Sequence, residues 1–435
     1  MEWWAILSGI LLLLLAAFVT GAPLFIGFLA VNVATVLFLI GPRGFVLVSN
    51  SILDSATISS LTAIPLFILM GEILTRSGSV ENLFRGMDGL IGRVRGRQYV
   101  LTILVSVVFG ALSGAAMAVA AMLGRSLYPT MVARNYDSKL SIGAILAGAS
   151  LAPIIPPSVL IVVVATLADV SIGKLLISGI GPGLVAALIF LGYIVIRVWR
   201  DPSLSPDSPQ NGQGSGWKGK AFSVALLLPF SLIAFAVMGL ILLGVATPSE
   251  AASAGVVGSV LVAVIYRRFS FSMLAQAIRG ATGITAMIMA IIVSSNLFGQ
   301  LLAFTGSTQK LVALAAGLGD MPYLLLFVLL AIVFVMCMFI DQIALMLILV
   351  PIYQPMVATA GFDPIWFWLL ILLNLTVGGI TPPFGYTMFA FKATAPDVTL
   401  KAVYSASWPF VWLFILLMAI IVAVPEIATY LPSHM

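Results

Sequence analysis

Charge is what this sequence has least of. Only 8% of its 435 residues are Asp, Glu, Lys or Arg, against 62% hydrophobic residues, and a mean hydropathy of +1.20 excludes an ordinary soluble globular chain. One histidine and one cysteine exclude an intrachain disulfide, a multi-cysteine metal site and any Cys/His cluster. Cys337 lies in an apolar stretch and reads as a small buried hydrophobe, and His434 stands at the extreme C-terminus outside any span. No Gly-x-x-x-x-Gly-Lys-Ser/Thr loop occurs, so nothing cradles a nucleotide phosphate. Closely paired carboxylates are absent too, which leaves an integral membrane enzyme without acid, base or metal chemistry. The net charge of +5 points to topology rather than to nucleic acid.

What is present is apolar length. Runs near the roughly 20 residues that cross a bilayer recur at 3–20, 24–40, 60–75, 175–196, 221–246, 250–266, 282–304 and 404–424. Three further zones, 99–172, 322–357 and 365–391, are apolar but interrupted. The expected fold is therefore an all-α polytopic membrane protein. The N-terminal "MEWWAILSG" has an acidic residue and two interfacial tryptophans where a signal peptide has a basic region, so it reads as a retained first span.

An internal repeat organises the chain. "GEILTRSGSVENL" at 71–83 matches "GQLLAFTGSTQKL" at 299–311, and further on Pro129/Pro355, Asp137/Asp363, Ile154/Ile380, Pro156/Pro382 and Pro157/Pro383 coincide at a shift of 226. Unrelated apolar helices would share scattered leucines, not prolines, aspartates and glycines in one order. The first repeat is placed at 1–199, with a hairpin at about 99–131 and a broken helix at about 138–172. The second is placed at 221–435, with a hairpin at about 322–357 and a broken helix at about 365–391. Between them the Pro/Gly/Ser-rich stretch 200–220 reads as a cytoplasmic linker.

Charge sets the orientation. With three spans, a re-entrant hairpin, a broken span and a final span in each half, the chain crosses ten times. Placing both termini outside then puts 17 of the 20 lysines and arginines in the cytoplasm, leaving Arg43, Lys174 and Lys310 outside. Five crossings per half make the repeats inverted. The stretch 80–98 mixes apolar and basic residues, as an interfacial amphipathic helix or a solvated loop does.

The breaks carry the chemistry. Pro156 and Pro157 interrupt "LAPIIPPS" and free carbonyls around Ala149 to Ala152, while "GGITPPFG" does the same around Gly378 to Thr381. Unwound backbone survives in hydrocarbon only where protein or a cavity satisfies it. Freed carbonyls suit a small cation, and the helix N-terminus beyond a break attracts an anion, so one motif can take both sodium and a carboxylate. A single proline kink only eases packing. Two Pro-Pro breaks in register, each beside Gly or Ser/Thr, call for more than that. Before each break lies a hairpin-like stretch. The first holds small residues at Gly110, Ser113, Gly114, Ala115 and Ala116; the second holds Asp341 in its tip region. An intramembrane Asp is compatible with a cation partner, a proton carrier or a helix cap. Ser150, Ser158, Asn374, Thr376, Thr381, Ser294, Ser295 and Asn296 are the polar residues near the same depth, some serving as helix glue.

Together "SGAAMAVAAMLG", "GASLAPIIPPSVLIVVV", "VMCMFIDQIALMLILVPIYQP" and "NLTVGGITPPFGYTMFAFKATAPDVTL" resemble the large membrane subunit of tripartite ATP-independent periplasmic (TRAP) transporters over essentially the whole chain. The resemblance implies a multi-pass protein of the bacterial inner membrane with periplasmic termini. It implies a sodium-driven elevator importer of an organic acid, joined to a small membrane subunit and served by a periplasmic substrate-binding protein. It makes Ser113, Gly114, Ser150, Ala152, Pro153, Asp341, Gly378, Gly379, Thr381 and Pro382 candidates for Na+. Substrate candidates are Ala115, Ala116, Pro156, Pro157, Ser158, Asn374, Thr376, Pro383 and Gly385. Where the family reads Ser-Gly-Ser-Ser at the first tip, this chain reads Ser113-Gly114-Ala115-Ala116, so two hydroxyls are missing. The rival within transport is a stand-alone inverted-repeat carrier of organic anions.

Overall fold

A computed structural model describes residues 2–21, 23–78, 80–91, 94–206, 217–318 and 321–435. In chain order the helices are α1 (Trp3–Val19), α2 (Leu24–Ile40), α3 (Phe45–Thr57), α4 (Ala63–Arg76), α5 (Val80–Leu90), α6 (Arg97–Ser113) and α7 (Ala116–Ser126). Next come α8 (Tyr128–Ala133), α9 (Ser138–Ala149), α10 (Val159–Leu167), α11 (Ile172–Ser178) and α12 (Ile180–Arg200). The second half supplies α13 (Trp217–Leu242), α14 (Pro248–Ile265), α15 (Phe271–Phe304), α16 (Ser307–Ala316), α17 (Pro322–Met336) and α18 (Gln342–Ala360). It closes with α19 (Pro364–Gly378), α20 (Tyr386–Thr394), α21 (Leu400–Ala423) and α22 (Glu426–Thr429). Among the described residues there is no strand.

Six of these helices, counting α11 with α12 as one, are long and apolar enough to cross a membrane. The others at the interrupted zones are shorter because the chain itself is broken there. The run expected at 282–304 is longer than its hydropathy shows: α15 starts at Phe271, where Ser270 accepts a hydrogen bond from Met273 N at 3.1 Å. Gln276 and Arg279 in its first turns hide that start from an apolar-run reading. The expected linker 200–220 is shorter at both ends. Its front folds into a 3-10 turn at Pro202–Leu204 with Leu204 buried, its end from Trp217 is already α13, and 207–216 lie outside the described residues.

The amphipathic stretch is helical from Val80 to Leu90 and is bent 77° from α4. Its Gly86 and Gly89 lie against Leu227 and Ser223 of α13, so this helix is docked rather than free. The repeated aspartates turn out to be caps. Asp137 accepts from Leu140 N at 2.7 Å and Asp363 from Trp366 N at 2.8 Å, starting α9 and α19 in the same way.

Two groups of helices share one continuous apolar core. In the first, α4 packs between α14 and α15, α5 lies on α13, and α15 reaches α2 and α3. In the second, α6 and α7 pack on α9, α17 on α19, α9 and α12 on α21, and α7 on α20. Close backbone approach decides the packing of the second group. A Cβ added at Gly110 of α6 would lie 2.9 Å from Ala152 Cα, and one at Gly378 would strike Cys337 Sγ and stand 3.0 Å from the Cys337 carbonyl oxygen.

Gly110→Val therefore lowers stability by about 1–3 kcal/mol through overpacking against backbone that cannot retreat. Gly192→Ala, where nothing among the described residues lies within 4 Å of the added Cβ, leaves stability equal or raised. Thermal unfolding of the purified protein in detergent separates the two.

Candidate functional site

The helix hydrogen-bond pattern states which carbonyls the prolines release. Proline at position i removes the donor for the carbonyl at i−4. Pro153, Pro156 and Pro157 thus release Ala149, Ala152 and Pro153, while Pro382 and Pro383 release Gly378 and Gly379. Both Pro-Pro bonds, Pro156-Pro157 and Pro382-Pro383, are cis.

Most of these carbonyls find a new donor. Ala149 O accepts from Ala152 N at 3.2 Å, Gly378 O from Thr381 N at 3.1 Å and Gly379 O from Thr387 N at 3.0 Å. Pro153 O accepts the Ser158 hydroxyl at 2.8 Å. Ala152 O alone of the five accepts no hydrogen bond among the described residues. A carbonyl has two lone pairs, so the others keep one acceptor site each.

The hydroxyls at the breaks are likewise tied down as donors. Ser150 donates to Ala147 O at 2.7 Å, Thr381 to Val377 O at 2.7 Å and Thr376 to Leu372 O at 2.7 Å. With the proton used, the Ser150 and Thr381 oxygens are left with lone pairs at the start of each break, the arrangement a cation needs.

Each break is embraced by the hairpin that precedes it. At the first tip α6 ends with Gly114 at φ +62, and its N–H donates to Gly110 O at 2.7 Å. A Cβ at Gly114 would stand 3.1 Å from Val159 N, at the N-terminus of α10. Ser113 Oγ is buried here without a partner among the described residues. Ala115 is exposed and Ala116 buried, so the two missing hydroxyls are replaced by one open and one covered methyl.

At the second tip, Phe384 N donates to Met338 O at 3.2 Å, joining the turn of the hairpin to the second break. Asp341 caps α18, accepting from Ile343 N at 2.9 Å. Tyr386 donates to Gln342 Oε1 at 2.6 Å, and Tyr404 to Pro383 O at 2.8 Å. These three polar residues went unread in the sequence. Gln342 beside Asp341 in an apolar run was the available signal.

The halves then interlock. Gly124 of α7 packs directly on Thr394 and Phe391 of α20, and Gln354 of α18 donates to Ala168 O, just past α10, at 3.2 Å. The second arm of each hairpin therefore holds the broken helix of the other half.

Three of the polar residues expected near this depth, the substrate candidate Asn374 among them, lie elsewhere. Asn374 faces α17, donating to Leu330 O at 2.6 Å. Ser295 and Asn296 line a separate cleft of about 490 Å³ with Asp54, Gln300, Thr308 and Gln354. In that cleft Asn296 Nδ2 donates to Ser55 Oγ at 2.9 Å, and Gln300 Oε1 is buried without a partner among the described residues. It lies between α3, α15 and α16 on one side and α18 and the end of α10 on the other. Gln300 one turn after Asn296 marks one helix face and could have been read from the spacing.

Among the described residues no cluster of three His, Cys, Asp or Glu could hold a metal. Buried, all-helical and built around matched backbone breaks, the architecture is that of a multi-pass membrane permease. The chain belongs to the family of the DctM component of tripartite ATP-independent periplasmic transporters, whose family model matches residues 11–427.

The relatives agree. It is 32% identical to the ectoine TRAP transporter large permease protein of Halomonas elongata, over 86% of each chain. It is 30% identical to the C4-dicarboxylate TRAP transporter large permease protein of Pseudomonas aeruginosa, again over 86% of each. With the sialic acid TRAP transporter large permease protein of Vibrio cholerae it shares 26% over 94% of each. Among solved structures, the YdaH transporter of Alcanivorax borkumensis has a similar fold, with a TM-score of 0.63 at 15% identity over 89% of each chain. The family is one of transporter permeases, not enzymes.

If Asp341 acts as a helix cap, Asp341→Ala costs about 1 kcal/mol and Asp341→Asn, which still accepts the Ile343 N–H, costs little. Thermal unfolding of both variants in detergent checks this; equal losses would remove the cap from the account.

Proposed function

We propose that the chain is the permease of a sodium-coupled importer of an organic acid. A periplasmic binding protein delivers the acid, and a small membrane subunit joins the permease in the inner membrane. The observation that carries this reading is the matched pair of helix breaks, each with oxygen acceptors at its mouth and each closed by its own hairpin tip. Relatives named for C4-dicarboxylates and for sialic acid support an organic acid as the solute.

Sodium is carried, not resident. Ala152 O and the lone pairs of Ser150 and Thr381 are hard oxygen donors, and Ser113 Oγ is an uncommitted hydroxyl at the first tip. Where α10 and α20 open, the N–H groups not already given to Ser158 Oγ, Gly379 O or Gly385 O are the natural seats for a carboxylate. An inward-negative potential contributes about 2.3 kcal/mol per charge per 100 mV, so two sodium ions moving with one monocarboxylate leave one net charge to drive uptake.

The second helix group, with both hairpins and both broken helices, is the part we take to move as an elevator against the first group. The polar cleft holding Asp54, Asn296, Gln300 and Gln354 lies at the seam between the groups and is the solute's approach. With the termini outside, as the charge bias implies, that cleft opens toward the periplasm.

Proteoliposomes carrying the chain with its small subunit and binding protein test the reading. Thr381→Val, and Pro156-Pro157 replaced by Ala-Ala, are expected to cut sodium-dependent uptake by at least ~10-fold, the loss of roughly one to two good ligands, while Thr381→Ser retains it. Unchanged sodium dependence would refute the placement. Robust uptake by the chain without either partner would overturn the tripartite reading in favour of a stand-alone carrier.

A further inference from the structure

The matched repeats do not meet the first helix group at matched places. Gly71 of α4 and Gly299 of α15 open the two segments that align at the start of the repeat, yet they face different parts of their hairpins. A Cβ added at Gly71 would lie 3.2 Å from Leu112 O and 3.5 Å from Ser113 Cα, at the first hairpin tip. One added at Gly299 would lie 3.5 Å from Pro351 Cβ, well along α18, the second arm of the second hairpin. At the repeat's shift of 226, Leu112 and Ser113 correspond to Met338 and Phe339, and Arg125 to Pro351.

The second tip is therefore not on its glycine. α18 starts at Gln342, and the nine helical steps from there to Pro351 span about 14 Å. The difference shows in burial. Leu112 at the first tip is 2% exposed, while Phe339 and Phe384 at the second are each 60% exposed, with ring centroids 6.3 Å apart. Beside Gly299 lies instead the cleft of about 490 Å³, with Ser295, Gln300, Ala303 and Thr308 in its wall. One repeat has a glycine with its tip seated on it; the other has an open cleft at its glycine and a tip with uncovered aromatics.

Inverted repeats put equivalent packing surfaces on opposite sides of the membrane, so partners that are unlike in one conformation exchange in the other. We propose that the cleft at Gly299 is the seat of the second hairpin tip. When the second helix group moves about 14 Å toward the periplasm, Met338 and Phe339 come to lie on Gly299, and Gly71 passes from the first tip to Arg125 of α7. In the present conformation the first tip is the seated one. Because the seat is also the solute's approach, the second break is carried up to the solute there. The inference rests on the movement proposed above for the second helix group. Its test reads position without sodium, solute or partner chains, so it can fail while sodium-dependent uptake stands.

Cysteine pairs are placed in the full chain with Cys337→Ala, reconstituted in proteoliposomes and oxidised with copper phenanthroline. Thiols left unlinked are then counted after denaturation by the mass shift with PEG-maleimide. Gly299→Cys with Pro351→Cys, already 3.5 Å apart at Cβ, reports the present register, and Gly299→Cys with Phe339→Cys reports the exchanged one. Val257→Cys on the exposed face of α14, paired with Phe339→Cys, gives the collision background. The Gly299/Phe339 pair is expected to close at least ~10-fold faster than that background, although in the present register it is beyond disulfide reach. Gly71→Cys with Arg125→Cys is expected to do the same, and it keeps the test decisive should the Gly299/Phe339 variant misfold. Closure of either matched pair above background supports the seat; background rates in both overturn it.

Discussion

A peptide group that leaves a helix inside hydrocarbon must find a partner in the protein, because lipid offers none. That constraint shapes most of this molecule. The prolines at 153, 156, 157, 382 and 383 release five carbonyls at the centre of the fold. Local turns, a serine hydroxyl and the first turn of α20 take up four of them. What remains, one free carbonyl and a set of lone pairs on hydroxyls already committed as donors, is a small reserve of oxygen acceptors held in fixed positions.

The rest of the second helix group keeps that reserve dry. Glycines let the hairpins close over the breaks: Gly110 against Ala152, Gly114 against Val159 and Gly378 against Cys337. Phe384 N and Tyr386 tie the second tip to the second break, and α7 and α18 cross to the opposite half. The first helix group, with α15 running unbroken from Phe271 to Phe304, meets that unit across a seam that holds the polar cleft of Asp54, Asn296 and Gln300.

Much of this was legible because it is local in sequence. Apolar length, Pro-Pro pairs, small residues at the first tip and the repeated aspartates are read off neighbouring positions, and the family followed from their order. In the sequence the aspartates at 137 and 363 are only matched positions of the repeat; their geometry makes them caps. What was not legible depends on how distant segments meet. The crossing of hairpin arms between halves, the Gln342–Tyr386 bond and the cleft around Gln300 leave no periodic trace. Asn374 shows the limit most clearly. Two residues before Thr376, it sits at the right depth for the break, yet at about 100° per residue the two side chains point to opposite faces of α19, and Asn374 meets α17. Hydropathy also hid the start of α15, since Gln276 and Arg279 are tolerated in a helix whose first turns leave the apolar layer.

The most direct measurement of the central claim is hydrogen–deuterium exchange of the purified chain in sodium against potassium at equal ionic strength. The account predicts sodium-specific protection of peptides spanning both breaks, around Ala149–Val159 and Gly378–Thr387, with α13 and α14 unchanged. Identical exchange at both breaks in the two salts would contradict it.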